Sequence, residues 1–211
     1  MRIEQINLGS RALIAVSGKK RATGIFKEKT EGSASISKLG LRGDVIVNKK
    51  HHGGPDQAVY LYSLEDYSLW TERLDRIVSA GTFGENLTTS GLNLSEICVG
   101  DVLQSESVVL QVSAPRIPCS VLAARMDDKQ FGRKFMEVGC SGAYCRVLEI
   151  GEVKVGDEFA HMPYEGDRIP LALFLKDAHA KLSAKSLERY LAVPIDERSR
   201  LDFKKKLAAI S

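Results

Sequence analysis

Short apolar segments separated by glycines are the feature that most restricts how this chain can fold. Five such segments precede about residue 115, and they read RIEQINL, SASISKL, DVIV, QAVYLY and VVLQVS. Glycines punctuate the first part of the chain at intervals of roughly eight residues, at Gly9, Gly18, Gly24, Gly32, Gly40 and Gly43. Runs rich in β-branched and aromatic residues predict strands. The spacing favours a folded-over sheet or barrel over alternating strand–helix units.

Two helical regions interrupt this β pattern. The stretch SLEDYSLWTERLDRIV begins with a typical N-cap residue, Ser63, and has Glu65 and Asp66 in the predicted first turn. A second helical region is predicted over residues 120–138. A strand is predicted after it, at AYCRVLEI.

The pattern becomes helical after Pro163. Three short helices are predicted there, and Asp196 is the expected N-cap of the last one. Residues 165–211 hold 10 basic and 7 acidic side chains, which is the whole positive excess of the chain. Helices this short cannot form a core of their own, so we expect them to pack on the main domain and to leave Lys204–Lys206 free to meet an acidic partner.

Composition limits the kinds of protein that this can be. The 211 residues include 30 basic and 27 acidic side chains, a balance that does not predict stable nucleic-acid binding. The first residues, MRIEQINLGSRALIAV, lack the pattern of a signal peptide, and no stretch approaches the roughly 20 apolar residues that cross a bilayer. We therefore expect a cytoplasmic protein without a membrane segment, in which the four cysteines are reduced.

The stretch KKHHGGPDQAVYLY is the first candidate site. Gly53 and Gly54 permit close approach of the backbone to a ligand. His51 and His52 are adjacent, so at most one of them faces a given site in extended chain. Zinc is a poor fit because neither a C-x2-C pair nor an H-x3–5-H pair is present. A turn carrying surface histidines remains the alternative.

The stretch GTFGENLTTSGL is the second candidate site. Its glycines surround Glu85 and Asn86 in a pattern typical of an anion-binding loop. It lacks the lysine of a P-loop and the context of a dinucleotide fingerprint. A plain hairpin is therefore the favoured interpretation of this segment, and an anion-binding loop is the alternative.

The third candidate site is APRIPCSVLAAR, which fixes Cys119 between prolines and a predicted helix. Arg116 lies close by in sequence, and nearby cations favour the thiolate form that binds metals. Buried filler and a disulfide half-cystine are the other interpretations of Cys119. Cys98 and Cys145 are predicted to be buried filler, whereas Cys140 is a weaker candidate for a second site thiol.

Five stretches occur in the order seen in MOSC domains, and they read HHGGPDQAVYLY, GTFGENLTTSGL, VGDVL, VSAPRIPCSVLAAR and GAYCRVLEIGEVKVGDEF. The chain resembles the bacterial YiiM-type branch of that family over nearly its whole length. This resemblance implies a mostly β fold with added helices. It also implies a MOSC-type β-barrel domain over residues 1–162, followed by a small three-helix C-terminal module over residues 166–211.

The resemblance also implies an activity. Members of the family bind the molybdenum cofactor (molybdopterin), in which one protein cysteine completes the ligands of molybdenum, and Cys119 matches that cysteine. The implied reaction is reduction of N-hydroxylated compounds, including hydroxylaminopurines and amidoximes, to the amine and water, with two electrons and two protons consumed. A cofactor or sulfur carrier that uses Cys119 without substrate turnover is the alternative function.

The resemblance assigns catalytic roles to two residues, which are matched by their positions in the motifs. Cys119 is the implied molybdenum ligand, and His52 is the second implied catalytic residue. The implied cofactor-binding residues are Lys27, Gly53, Gly54, Asn86, Arg116 and Arg146. Lys29 and Thr30 are alternatives to Lys27, and His51 is an alternative to His52.

The chain contains no flavin or nicotinamide fingerprint. Electrons are therefore expected from a separate flavoprotein or iron–sulfur protein. The sequence leaves a homodimer open.

Overall fold

A sheet of eight strands organises this computed structural model, which describes residues 1–94 and 96–210. The described strands are β1 (Arg2–Gly9), β2 (Ala12–Val16), β3 (Lys19–Thr23), β4 (Lys27–Lys29), β5 (Ser33–Ser37), β6 (Gly40–Leu41), β7 (Val59–Ser63), β8 (Leu87–Ser90), β9 (Val102–Gln104), β10 (Val109–Pro115), β11 (Ala143–Glu149), β12 (Gly151–Lys154) and β13 (Ala160–Met162). The predicted mostly β class is confirmed.

The strand order in the large sheet is β13-β9-β10-β11-β7-β8-β1-β4, and only β7 and β8 are parallel neighbours. Strands β12, β5 and β6 form a second sheet, and β2 and β3 form a hairpin. Within the described residues no strand pair closes the large sheet into the expected barrel. The start of β1 and the segment just before β13 are joined only by an isolated bridge between Arg2 and Glu158 and by backbone hydrogen bonds such as that from the Ile3 N–H to the Asp157 carbonyl, at 2.9 Å.

The described α-helices are α1 (Leu64–Leu74), α2 (Ser120–Arg125), α3 (Phe131–Val138), α4 (Leu171–Asp177), α5 (Ala184–Leu191) and α6 (Glu197–Ala208). A short 3-10 helix spans Pro55–Gln57. None of these helices is long and apolar enough to cross a membrane.

The predicted helix after Ser63 is confirmed as α1. The Ser63 side chain accepts a hydrogen bond from the Asp66 backbone N–H at 3.0 Å, which caps the helix. Trp70 of α1 is buried against Phe131 and Phe135 of α3, with ring centroids 5.0 and 5.9 Å apart. Burial of these rings stabilises the helices by removing a large apolar area from water.

Two predictions of local structure were wrong. The single helix expected over residues 120–138 is divided into α2 and α3, because Asp127 between them has a left-handed backbone with φ of 53°. Residues 44–47 join no strand, although Val45 donates one backbone hydrogen bond to Gly9. The Asp44 side chain instead accepts a bond from the Gly9 backbone N–H at 2.7 Å.

The three predicted C-terminal helices are confirmed as α4, α5 and α6. The Asp196 side chain accepts a hydrogen bond from Ser199 N–H at 3.2 Å, as expected of an N-cap. Phe174, Tyr190 and Phe203 form an aromatic cluster that is continuous with the buried core of the sheet. The helices therefore pack on the main body, as their apolar faces predicted.

Candidate functional site

Segments distant in sequence meet at one cavity of about 400 Å³. Its walls come from residues 21–27, from the loop at 44–53 and from the segment that joins β10 to α2. We call it the Arg116 cavity. Cavities of this size commonly hold a small-molecule ligand or cofactor.

Arg116 is a buried cation in this cavity. Only 5% of the residue is exposed, and its guanidinium carbon lies 4.9 Å from the ring centre of Tyr60. Its Nη1 donates a long hydrogen bond of 3.4 Å to the Tyr144 hydroxyl. Among the described residues no carboxylate forms an ion pair with Arg116, and no group accepts a hydrogen bond from its Nε.

Burial acts to lower the pKa of Arg116, but Tyr144 and Tyr60 outweigh it and raise the pKa above its usual value. The side chain therefore stays positively charged. Burying a charge without a counter-ion is unfavourable, and an anionic group of a ligand would remove that penalty with charge-assisted hydrogen bonds. The residues present thus fit an anionic cofactor.

Lys27 and Asn86 also line the cavity, but their polar groups are used within the protein. Lys27 forms a buried ion pair with Asp44, and burial lowers the pKa of Lys27 while Asp44 opposes the shift. Asn86 donates to Asp44 at 3.0 Å and accepts from the Tyr60 N–H at 3.2 Å. Both residues therefore hold the wall in place. Of the three alternatives at this stretch, only Lys27 lies on the cavity wall.

The two histidines both line the cavity. His52 Nδ1 lies 3.4 Å from the Tyr144 hydroxyl, whereas His51 is exposed. Burial, together with the smaller effects of the Arg116 and Arg198 charges, lowers the pKa of His52 to about 3. His52 is therefore a neutral imidazole at neutral pH, able to donate from one ring nitrogen and to accept at the other.

Both the backbone conformation and the neighbouring side chain require a glycine at position 53. Its φ is 70°, and a Cβ at this position would lie 2.8 Å from the Ile46 Cδ1. Gly54 follows, with φ of 84°, directly before the 3-10 helix. Arg198 of α6 donates to the Gly53 carbonyl at 2.8 Å, so the tail fixes the conformation of this loop.

Cys119 lies on the cavity wall immediately before α2 and is half-buried. All four cysteines are free thiols. Cys98 and Cys145 are buried, as predicted for filler, and burial raises the pKa of both. Burial and neighbouring Asp66 raise the pKa of Cys140 to about 12. Cys119 is therefore the thiol that a ligand in the Arg116 cavity would meet.

Cys119 is not part of a protein-only metal cluster. Across residues 1–94 and 96–210, no group of three or more His, Cys, Asp or Glu side chains could hold a metal ion. A metal at Cys119 would therefore take its remaining ligands from elsewhere, and the dithiolene of a pterin cofactor can provide them.

Arg146, also predicted to bind the cofactor, lies apart from the other residues of that set that line the cavity. Its Nε lies 3.0 Å from Asp56 Oδ1, and its Nη2 donates to the Ile195 carbonyl at 3.0 Å. It does not line the Arg116 cavity. The nearby carboxylate neutralises the Arg146 charge and directs the side chain to the junction with the C-terminal helices.

A second cavity, of about 310 Å³, adjoins the first. The two cavities share five lining residues, which are His51, His52, Gln57, Cys119 and Tyr144. The far wall of the second cavity includes Phe174 of α4 and residues 196–199 at the start of α6, so we call it the tail cavity. No feature of the sequence indicated these tail residues, because their pattern is that of an ordinary capped amphipathic helix.

Comparison with known proteins gives consistent matches. A sequence model described as MOSC domain matches residues 48–160. Uncharacterized protein YflK of Bacillus subtilis is 36% identical over 95% of this chain and 92% of its own length. Protein YiiM of Escherichia coli is 30% identical over 85% of this chain and 90% of its own. A more distant relative from Gibberella moniliformis, named a reductase, is 30% identical over 66% of this chain but only 26% of its own length.

The three-dimensional structure agrees with these matches. The crystal structure of YiiM from Geobacillus stearothermophilus has a TM-score of 0.81 to this fold at 26% identity, and the match covers 98% of each chain. That coverage includes the C-terminal helices as well as the sheet. This chain therefore belongs to the MOSC domain family and is a YiiM-type member of it.

Proposed function

We propose that this protein binds the molybdenum cofactor in the Arg116 cavity and reduces N-hydroxylated compounds to amines. One observation carries the proposal: a buried, unneutralised guanidinium and a free, half-buried thiol line the same cavity. The thiol suits a soft metal, and the guanidinium suits an anionic group of the cofactor. MOSC domains are associated with this cofactor.

Each residue would have a separate task in holding the cofactor. Cys119 would be the protein ligand of molybdenum, and Arg116 would bind an anionic group. Lys27 would act mainly by keeping Asp44 neutralised and the wall ordered, since its ammonium group is already paired. Gly53 would let the backbone approach the ligand closely.

The reaction breaks the N–O bond of R–NHOH and forms R–NH2 and water, which consumes two electrons and two protons. When bound, the cofactor would supply a metal centre that cycles between oxidation states and accepts the oxygen. His52 would orient the substrate by hydrogen bonds, because a neutral imidazole whose pKa lies near 3 carries no proton to release as a strong acid at neutral pH.

Electrons would come from a separate flavoprotein or iron–sulfur protein, because the chain carries no fingerprint for a flavin or nicotinamide. A name gives further support: the fungal relative that matches 66% of this chain is called a reductase. Most of that relative's length lies outside the match, so its name supports this proposal only by analogy.

The test compares protein purified from two hosts, one that makes the molybdenum cofactor and one in which its synthesis is blocked. Molybdenum per chain is measured by mass spectrometry, and benzamidoxime reduction to benzamidine is followed with reduced methyl viologen. We expect bound molybdenum and benzamidoxime reduction only in the protein from the host that makes the cofactor. Molybdenum without turnover would favour a carrier, and no molybdenum from the competent host would overturn the proposal.

A further inference from the structure

We infer that the tail cavity is the substrate chamber and that Asp196 accepts a hydrogen bond from an N–H group of the substrate. The inference rests on the proposed function, whose cofactor would occupy the Arg116 cavity. It adds a binding site formed jointly by the sheet and the C-terminal helices. Among the compounds of the proposed substrate class, this site would favour a flat, neutral or cationic N–H donor over an anion.

The position of the tail cavity supports a substrate next to the reacting centre. Cys119 and His52 line both cavities, so a molecule in the tail cavity lies beside the thiol without entering the space proposed for the cofactor. The two spaces measure about 400 and 310 Å³. Two ligands can therefore be held side by side around one thiol.

Asp196 is the unsatisfied polar group of the tail cavity. The residue is 2% exposed, and one carboxylate oxygen accepts the capping bond from Ser199. The other oxygen, Oδ2, has no hydrogen-bond partner within the described residues. An ionised carboxylate only accepts hydrogen bonds, and leaving a buried acceptor unpaired is unfavourable. A ligand N–H would complete it.

A cationic N–H donor suits the surroundings of Asp196. Burial raises the pKa of its carboxyl group and nearby Asp56 adds to the rise, while the hydrogen bonds from Ser199 and the charge of Arg198 oppose it. A positive charge of a ligand beside the carboxylate would therefore offset the cost of its ionisation. Arg198 is occupied, since it donates to Gln57 at 2.7 Å and to the Gly53 carbonyl at 2.8 Å. A cationic or neutral N–H donor is thus favoured at Asp196, and an anionic ligand is repelled.

The other walls of the tail cavity define the shape of the ligand. Phe174, Ile117, Pro115 and Pro118 present mainly apolar surface. A flat ring can pack against such surface while its N–H edge meets Asp196. Amidoximes and hydroxylaminopurines both combine a flat conjugated group with N–H donors next to the N–OH group.

The test measures binding of two flat probes to the full chain with and without cofactor. Benzamidine carries N–H donors and a positive charge, whereas benzoate has the same outline and a negative charge. Dissociation constants are measured by NMR titration. Arg116 offers a separate site for an anion, so affinities are taken only from the NMR signals of Ile117, Phe174 and Ser199, which line the tail cavity and not the Arg116 cavity. At those signals we expect wild-type protein to bind benzamidine and to bind benzoate at least about 10-fold more weakly.

Two variants remove the carboxylate but keep a residue that caps α6: Asp196→Asn and Asp196→Ser. Each is expected to weaken benzamidine binding by about 10-fold or more without unfolding the protein. Asp202→Asn is the matched control, because Asp202 lies on the same helix, is exposed and pairs with Lys206. It should bind benzamidine as wild type does.

Benzamidine binding needs no turnover, so the two proposals fail separately. Absence of benzamidoxime reduction by loaded wild-type protein would overturn the proposed function. The inference that the tail cavity is the substrate chamber would be overturned if wild-type protein bound no benzamidine. It would also be overturned if both Asp196 variants bound benzamidine as well as the Asp202→Asn control does. In loaded enzyme the Asp196 variants should raise KM for benzamidoxime more than they lower kcat.

Discussion

Two arginines that were both predicted to bind the cofactor, Arg116 and Arg146, have different electrostatic surroundings. Arg116 faces a cavity and has no carboxylate partner among the residues that the structure describes. Arg146 lies at the junction with the C-terminal helices, where Asp56 neutralises it and the Ile195 carbonyl accepts a hydrogen bond. Charge compensation, not residue type, therefore separates a cation that is free for a ligand from one that stabilises the fold.

The junction is organised around Asp56. One oxygen pairs with Arg146, and the other accepts the Glu197 backbone N–H at 2.8 Å, at the start of α6. Arg198, the next residue of α6, donates to the Gln57 side chain. In the Arg116 cavity, in contrast, no carboxylate of the described residues pairs with Arg116, and Cys119 is a free thiol. The Arg146 charge is therefore compensated within the protein, whereas the Arg116 charge is left for a ligand.

The largest expected effect is that of Cys119→Ser. It removes the proposed metal ligand from the cavity region, so we expect loss of bound molybdenum and a fall in activity of at least about 100-fold. Metal content and benzamidoxime reduction are measured on the same samples. Cys145→Ala is the matched control, since Cys145 is buried outside both cavities. It should keep molybdenum and lose about 1–3 kcal/mol of unfolding free energy. Equal loss of metal in both variants would point to a role for Cys145.

Arg116→Leu is expected to have the next largest effect. Removing the charge-assisted bonds should weaken cofactor binding by about 1.5–3 kcal/mol, or roughly 10- to 100-fold. The free energy of unfolding of the apo-protein should stay level or rise, because an uncompensated buried charge is lost. Cofactor release by dialysis and urea unfolding measure the two quantities. If the Arg116→Leu apo-protein unfolded, Arg116 would be a residue that stabilises the fold, as Arg146 does.

Arg146→Leu should have the reverse effect. The Arg146 and Asp56 side chains are 22% and 27% exposed, so solvent screens part of their attraction. We expect a loss of about 2–3 kcal/mol in unfolding free energy, because Asp56 loses its counter-ion, and a change in cofactor affinity within about twofold. A double-mutant cycle with Asp56→Asn isolates the pair. If the Arg146→Leu protein stayed folded but lost the cofactor, Arg146 would be a cofactor-binding residue after all.

His52 lies between the two regions, and its neutral state gives the smallest expected effect. Its pKa in the folded protein is lowered to about 3, so the unfolded chain takes up a proton first as the pH falls below about 6.5. Stability is therefore lost on acidification, by about 1–2 kcal/mol between pH 7 and pH 5. Urea unfolding of wild type and His52→Gln at both pH values measures this loss. Identical pH dependence in the two proteins would mean that His52 titrates normally.

The sequence by itself determined the features that depend on near neighbours. Alternating apolar residues and turn formers indicated most strands, and a cap residue before an apolar helical pattern located α1 and α6. These signals are local because a helix cap or a strand face is decided within a few residues. The motif order identified the segments that meet at the Arg116 cavity.

The tertiary structure decided which charges are neutralised and which are not. Arg116 and Arg146 carry the same side chain, but only Arg146 lies beside a carboxylate, and Asp56 is distant from it in sequence. The tail cavity likewise exists only because α4 and α6 pack against the segment around Cys119. Electrostatic energy and burial depend on distances through space, and these distances are fixed only when the whole chain has folded.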